Sequence, residues 1–302
     1  MMQIDKRNGN VCFNDASHCY FDVNDESKKY ISVTTLIGKY EQEFDKNFWS
    51  AYKALEKLLP KDSWAIEKKS LLSSKKFNKD ILDVYNISEN EFNKVQQDIL
   101  DEWDKKNKEA CERGTKIHSE LENSFYKAGA NVKLQKFGIG GKFECKKDYS
   151  ELDLENGVYP EYLIYRESDD GILKLAGQID LIVKSGNDIY IIDHKTNGKI
   201  DLKSGFNTKT KTTAKMKYPL NNLDDCNFQH YTMQLSTYAW MLQKINPNFV
   251  IKDLILNHYD HEGNNTLYHC EYRKHDVEKM LYHYKKKLIL EKERSKRKRI
   301  EY

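Results

Sequence analysis

No apolar run in this 302-residue chain is long enough to span a membrane, which takes roughly 20 residues. No C-x-x-C pair occurs among the six cysteines, at 12, 19, 111, 145, 226 and 270. The N-terminus shows no signal-peptide pattern, so these thiols are expected to be free, in a reducing cytoplasm. There is no internal repeat and no large excess of charge. Lys plus Arg number 50 against 47 Asp plus Glu, a formal net charge of +3. Any nucleic-acid footprint must therefore come from local patches. What remains is a chain with 39% hydrophobic and 32% charged residues. That suits one large domain, or a core with a helical annex, and a wet, helix-rich surface.

The most informative stretch is 177–195, Gly-Gln-Ile-Asp-Leu-Ile-Val-Lys-Ser-Gly-Asn-Asp-Ile-Tyr-Ile-Ile-Asp-His-Lys. Two apolar runs carry one acid each, and Ser185-Gly186-Asn187-Asp188 is a turn signal between them. With Gly186-Asn187 as the loop of a hairpin, Asp180 faces Asp193, with Cβ atoms roughly 5 Å apart. Lys195 lies two residues beyond Asp193 and shares its face. Two carboxylates that close repel unless a cation lies between them, and a hard divalent metal fits oxygen donors. A lysine beside them can hold or deprotonate a water, or stabilise an anionic transition state. The plain alternative is a surface hairpin with a polar wet face. Runs this apolar are usually buried on both faces, and buried carboxylates need partners. Pro160–Arg166 reads as a preceding strand and Ser168–Gly171 as its turn. With Asp169-Asp170 as the loop, Glu161 faces Gln178, which places Glu161, Gln178, Asp180, Asp193 and Lys195 on one face.

Elsewhere, 11–37 suggests a small strand pair and 38–127 mostly helices, with Phe44, Phe48, Trp49, Tyr52, Leu55 and Leu58 at helical spacing. A helix is expected at 227–245, strands at 251–260 and 266–273, and a basic helix at 274–297. The expected divisions are 1–110 (strand pair and helical annex), 111–273 (core, with a basic loop at 197–220) and 274–302. Residues 195–217 hold seven lysines against Asp201 alone, and 285–299 hold nine Lys/Arg against Glu291 and Glu293. Either could be a solvated charge run. The first is better placed for phosphate contacts, since it follows the second acidic strand.

Ala-Gly-Gln-Ile-Asp180 and Ile-Ile-Asp193-His-Lys195-Thr196 resemble motifs II and III of the PD-(D/E)XK nucleases. Gly114-Thr-Lys-Ile-His118 and Gln234-Leu-Ser-Thr-Tyr238 resemble the Gly-x-x-x-His and Gln-x-x-x-Tyr helices of the RecB-like branch. All four occur in that family's order over roughly 110–245. Tyr30-Ile-Ser-Val-Thr-Thr-Leu36 is similar to the start of relatives such as the mitochondrial genome-maintenance exonuclease and related phage nucleases. Any one motif is short; four in order are specific.

The resemblance implies an α/β, restriction-endonuclease-like core, a mixed central sheet flanked by helices, with an N-terminal helical annex. It implies a DNA nuclease acting on single- or double-stranded DNA with Mg²⁺ or Mn²⁺. His118, Asp180, Asp193 and the backbone carbonyl of His194 would hold the metal. Lys195, Asp180, Asp193 and Glu161 would form the catalytic set. Gln234 and Tyr238 would approach the DNA. Ser32 and Thr34 could cap a helix whose N-terminus meets a phosphate, or simply cap it. Lys209, Lys211, Lys215 and Lys217 would contact phosphates. An exonuclease is the first reading. A structure-specific endonuclease or resolvase on the same core, or a non-catalytic DNA-binding module, are the alternatives. Some RecB-like relatives carry an iron–sulfur cluster on one cysteine before the nuclease core and three clustered after it. Only Cys270 follows the Gln-Tyr helix, so no cluster is expected. Abundant Tyr, Lys and Asn suit an AT-rich coding sequence, such as a phage of a low-GC host. The expected location is the cytoplasm of a bacterial or phage-infected cell, with no membrane partner.

Overall fold

The computed structural model describes residues 6–147, 154–207 and 212–300. The chain forms two compact units, Met1–Gln42 with Lys116–Tyr302, and Glu43–Thr115. Among the described residues the first unit is built on a mixed, nine-stranded sheet. Its elements are β1 (Lys6–Asn8), β2 (Val11–Asn14), β3 (Cys19–Asp22), β4 (Asp25–Ser32) and α1 (Val33–Gly38). Next come α5 (Glu89–Ala128), which enters this unit at Lys116, β5 (Val132–Leu134), β6 (Ile139–Phe143), β7 (Gly157–Glu167), β8 (Lys174–Ser185) and β9 (Asp188–Lys195). Then follow β10 (Phe206–Asn207), β11 (Thr212–Thr213), α6 (Asn227–Ile245), β12 (Val250–Tyr259), β13 (Asn265–His269) and α7 (Lys274–Ile300).

The second unit holds α2 (Lys46–Leu58), α3 (Lys61–Ser74), α4 (Asp80–Val84) and the start of α5. Phe48, Tyr52 and Leu55, three to four residues apart on α2, are buried with Leu71, Leu82, Phe92 and Ile99. Asp45 caps α2 by accepting the Phe48 N–H at 2.8 Å. Phe44, also at helical spacing, stays 65% exposed. These compact units divide at different residues from the sequence boundaries at 110 and 273. The physical reason is pairing: the N-terminal region supplies four strands rather than two, and β4 runs parallel to β8 through Ile31–Leu175 and Ser32–Ala176.

Strand β8 is the centre of the sheet. β7 pairs with one edge along its whole length, from Glu167–Lys174 to Gly157–Lys184. The other edge is shared by β4 at Leu175–Ala176 and β9 at Leu181–Ser185. The β8–β9 hairpin has the expected register: Ser185 pairs with Asp188 across Gly186-Asn187, and Gly186 supplies the positive φ of 61°. The β7–β8 connection differs from expectation. Glu167 pairs with Lys174, so the loop is Ser168–Leu173 rather than Asp169-Asp170 alone. Ser168 accepts the Leu173 N–H at 3.0 Å, and Asp170 accepts the Ile172 N–H at 3.2 Å. These side-chain bonds widen the turn and shift the register by two residues.

Both faces of the sheet are covered, as the apolar runs require. Leu175, Ile179, Ile182 and Ile191 pack on one side with Met233, Leu235 and Tyr238 of α6 and Met280 of α7. Leu181, Val183 and Ile192 pack on the other with Phe125 of α5 and Val132 of β5. Strict alternation would put Ile179 with Leu181. Ile179 instead shares a face with Ile182, so β8 changes faces at Asp180. β7 does the same: Tyr159, Tyr162 and Ile164 share the α6 side, and Glu161 between them has a φ of 51°. The two irregular positions, Glu161 and Asp180, therefore sit together where the sheet changes face.

Candidate active site

The break in alternation builds the site. β4 ends opposite Ala176 and the pairing with β9 begins only at Leu181, leaving Gly177–Asp180 on this edge unpaired by strand. Asp180 uses the opening: its Oδ2 accepts the His194 backbone N–H at 2.6 Å. His118, on the α5 segment that packs here, places Nδ1 3.6 Å from both Asp180 Oδ2 and Glu161 Oε1. Gln178 donates its side-chain amide to Glu161. Among the described residues, His118, Glu161 and Asp180 form a group able to offer three ligand atoms within 4.8 Å of one another. The two carboxylates are only 10% exposed. The His194 carbonyl, expected as a metal ligand, here lies 3.1 Å from His118 Nε2. It orients the ring by accepting from Nε2, and leaves Nδ1 to the acids.

Asp193 and Lys195 lie to the α6 side. Lys195 Nζ is 2.6 Å from Asp193 Oδ2, and the carboxylate is 2% exposed. Gln234 bridges the pair: its Nε2 donates to Asp193 Oδ1 at 3.1 Å, and its Oε1 accepts from Lys195 at 3.4 Å. The Tyr231 ring lies beneath Lys195 Nζ at 4.6 Å. The five polar residues expected on one face are thus two adjoining groups, one towards α5 and one towards α6. The face change at Glu161 and Asp180 is the reason.

The electrostatics follow from the burial. Burial works to lower the His118 pKa, but Glu161, Asp180 and Asp193 outweigh it and raise it to about 9. Burial first, then Asp193, pushes Asp180 well above the ordinary carboxylate range. Burial opposes the Lys195 charge, yet Asp193 and Asp180 hold its ammonium above its usual pKa. His194 is buried and kept neutral, its pKa lowered to about 3 by burial and by His118, Lys136 and Lys195. His118 Nδ1 faces both acids, so imidazole and carboxylates converge on one point. One imidazole and two carboxylates, buried and crowded, fit a divalent cation.

Tyr238 and Gln234, expected at the DNA, are 3% and 7% exposed. Tyr238 fills the space over Gly177, where an added Cβ would lie 2.6 Å from the ring. Ser32 caps α1 by accepting the Thr35 N–H at 2.9 Å. Thr34 lines an open cleft of about 250 Å³ between α1 and α6, with Glu41, His230, Tyr231 and Gln234. Lys215 is held by Asp224 at 2.5 Å, and the Lys217 backbone donates to Tyr40. Lys209 and Lys211 lie outside the described residues. Sequence reasoning missed Asn257, which donates to His194 Nδ1 at 2.8 Å. Its signal was the same as that of Asp180, a polar residue interrupting an apolar run.

With this geometry the sequence motifs acquire a common location. A profile of the PD-(D/E)XK nuclease superfamily matches residues 67–299. The chain belongs to the PD-(D/E)XK nuclease superfamily. Its mixed sheet flanked by helices is the restriction-endonuclease-like fold of that superfamily, whose members act on nucleic acid with divalent metals. No curated protein sequence matches the chain. Among solved structures, one named "Putative exonuclease" from Eubacterium rectale aligns with a TM-score of 0.33 and 11% identity, over 86% of this chain and 80% of that one. The structure of SSO0001 aligns with a TM-score of 0.24 and 18% identity, over 41% of this chain and 46% of that one. The chain thus spans less than half the length of SSO0001. Likenesses this slight carry no argument about function. No helix among the described residues is long and apolar enough to cross a membrane.

Proposed function

We propose that this chain is a metal-dependent deoxyribonuclease of the RecB-like branch, acting as an exonuclease on DNA ends in replication, recombination or repair. The observation that carries the reading is the pairing of two groups: the His118–Glu161–Asp180 donor set and the Lys195–Asp193–Gln234 cluster beside it. His118, Glu161 and Asp180 would hold Mg²⁺ or Mn²⁺, with Asp193 as the nearby acid shared with Lys195. The cation would supply Lewis acidity at the scissile phosphate. Lys195, 2.6 Å from Asp193, would supply positive charge beside the phosphate. Asp193 and Gln234 fix its Nζ, so its charge is preorganised for an anionic transition state. Asn257 and the His194 carbonyl set the orientation of the two histidines. The four motifs in the order of the RecB-like branch support the exonuclease assignment.

The test is digestion of end-labelled single- and double-stranded DNA, linear and circular, with Mg²⁺ or Mn²⁺ against EDTA. Degradation of linear DNA, with circles spared and EDTA silencing the reaction, is expected. Equal cleavage of circles would replace the exonuclease by an endonuclease. Inactivity in both metals, with binding retained, would leave a DNA-binding module.

A further inference from the structure

We propose that the groove between the Tyr218–Asn222 segment and the first turns of α7 binds single-stranded nucleic acid by stacking bases on Tyr218 and Tyr282. The groove has a volume of about 550 Å³ and is separate from the cleft beside Gln234. Both tyrosines stand out of the surface, 71% and 64% exposed. A large aromatic side chain left this open gains nothing from core burial, and two of them rim one recess. Tyr218 meets the edge of His283, with ring centroids 5.4 Å apart, and His283 is held from behind by the Tyr40 hydroxyl at 3.0 Å. Tyr282 carries Lys286 over its ring at 5.0 Å. Lys279 completes the basic side, with Asp276 beneath it at 3.7 Å. Among the described residues none that lines the groove is acidic.

Exposed rings alternating with ammonium groups match the two surfaces of an unpaired strand, its base faces and its phosphates. A duplex does not offer the same fit, because its bases are already stacked on one another. A charged peptide would meet the lysines but leave the rings without planar partners. Position adds support. Tyr40 buttresses His283, and the next residue, Glu41, lines the cleft beside Gln234. Groove and cleft thus adjoin the same α1–Glu41 segment. Only the choice of nucleic acid as the occupant rests on the nuclease reading.

The experiment is photocrosslinking of the full chain to a 5-iododeoxyuridine oligonucleotide in EDTA, with crosslinked peptides identified by mass spectrometry. Crosslinks at Tyr218 or Tyr282 are expected, and annealing the complementary strand should suppress them. Anisotropy titrations with the same oligonucleotide should show Tyr282→Ala weakening binding by about fivefold or more. Lys286→Gln should shrink the salt slope by about 0.7. Absence of crosslinks at both tyrosines, with unchanged affinity in both variants, overturns the proposal. Equal crosslinking to the duplex also overturns it. Metal-dependent cleavage is scored separately, so a silent nuclease site and a silent groove give different results.

Discussion

The Asp180 carboxylate accepts the backbone N–H of His194 at 2.6 Å, continuing by side chain a ladder whose last strand-to-strand pair is Leu181–Ile192. One bond thereby fixes two parts of the site. It pins an acid beside Glu161 and His118, and it sets the peptide whose carbonyl meets the His118 ring.

From this follows an order of effects on metal binding. His118→Ala, Glu161→Gln and Asp180→Asn should each weaken Mn²⁺ binding by about tenfold or more, since each removes a member of the close donor group. Asp193→Asn should weaken it less, because Asp193 is engaged by Lys195 and Gln234. Calorimetric titration checks the order. A weakening confined to Asp193→Asn would place the cation on the α6 side instead.

Lys195→Ala should abolish cleavage and also destabilise the fold. It leaves Asp193, 2% exposed, with Gln234 as its remaining polar neighbour on that side. Breaking one side of a buried pair costs about 3–5 kcal/mol. The double variant Asp193→Asn with Lys195→Met should recover much of this stability and none of the activity. Urea denaturation distinguishes the two; equal stability of single and double variants would mean that the pair is not buried in solution.

How far the sequence can be read depends on the kind of information each feature uses. The β8–β9 register is legible because a two-residue Gly-Asn loop fixes pairing locally. Helix α6 is legible to its ends. The β7–β8 turn is not, because Ser168 and Asp170 bond the backbone and widen it, which the string of turn residues does not reveal. A single shared face for the five polar residues requires unbroken alternation. A φ of 51° at Glu161 is a tertiary compromise that no period-2 pattern announces. Helical spacing correctly puts Gln234 and Tyr238 on one side of α6. It does not say whether that side meets DNA or the sheet.

Gly177 is required by Tyr238. Gly177→Ala would bring a methyl to 2.6 Å from the ring of a side chain that is itself 3% exposed. The ring cannot move without disturbing Gln234, so the substitution should cost about 1–3 kcal/mol. Thermal unfolding measures it, and Gly177→Ala combined with Tyr238→Leu should be milder than the single change. A neutral Gly177→Ala would show that the packing here is loose.

Glu167 gives a pH dependence away from the site. Burial pushes its carboxyl up, but hydrogen bonds from Tyr30, Lys28 and Lys174 together hold it at about 2. Lys28 and Lys174 lie 2.9 and 3.2 Å from it. An unfolded glutamate titrates near 4.3 on the usual scale, so folding lowers the pKa. The stabilisation is therefore complete above about pH 4.5 and disappears as pH falls towards about 2. Glu167→Gln should lower stability at pH 7 and flatten the acid limb between these values. Parallel acid limbs in variant and parent would remove Glu167 from the account.

The lysine-rich loop should contribute to DNA affinity unevenly. Lys215 already has Asp224 at 2.5 Å, so its charge is matched within the protein. Lys215→Gln alone should barely change the slope of log K against log salt. Replacing Lys209, Lys211 and Lys217 together should reduce that slope for every phosphate left without its ammonium, by about 0.7 each on single-stranded DNA and about 0.9 each on duplex. Phosphate recognition carries no sequence information, so the weakening should be the same across sequences. Mn²⁺ affinity should stay unchanged, because none of these lysines belongs to the donor group. The salt titration decides between three paths. A slope that falls with the triple variant routes DNA over the loop. One that falls with Lys215→Gln means that DNA displaces Asp224. One that moves with neither sends the strand elsewhere, towards the basic helix α7.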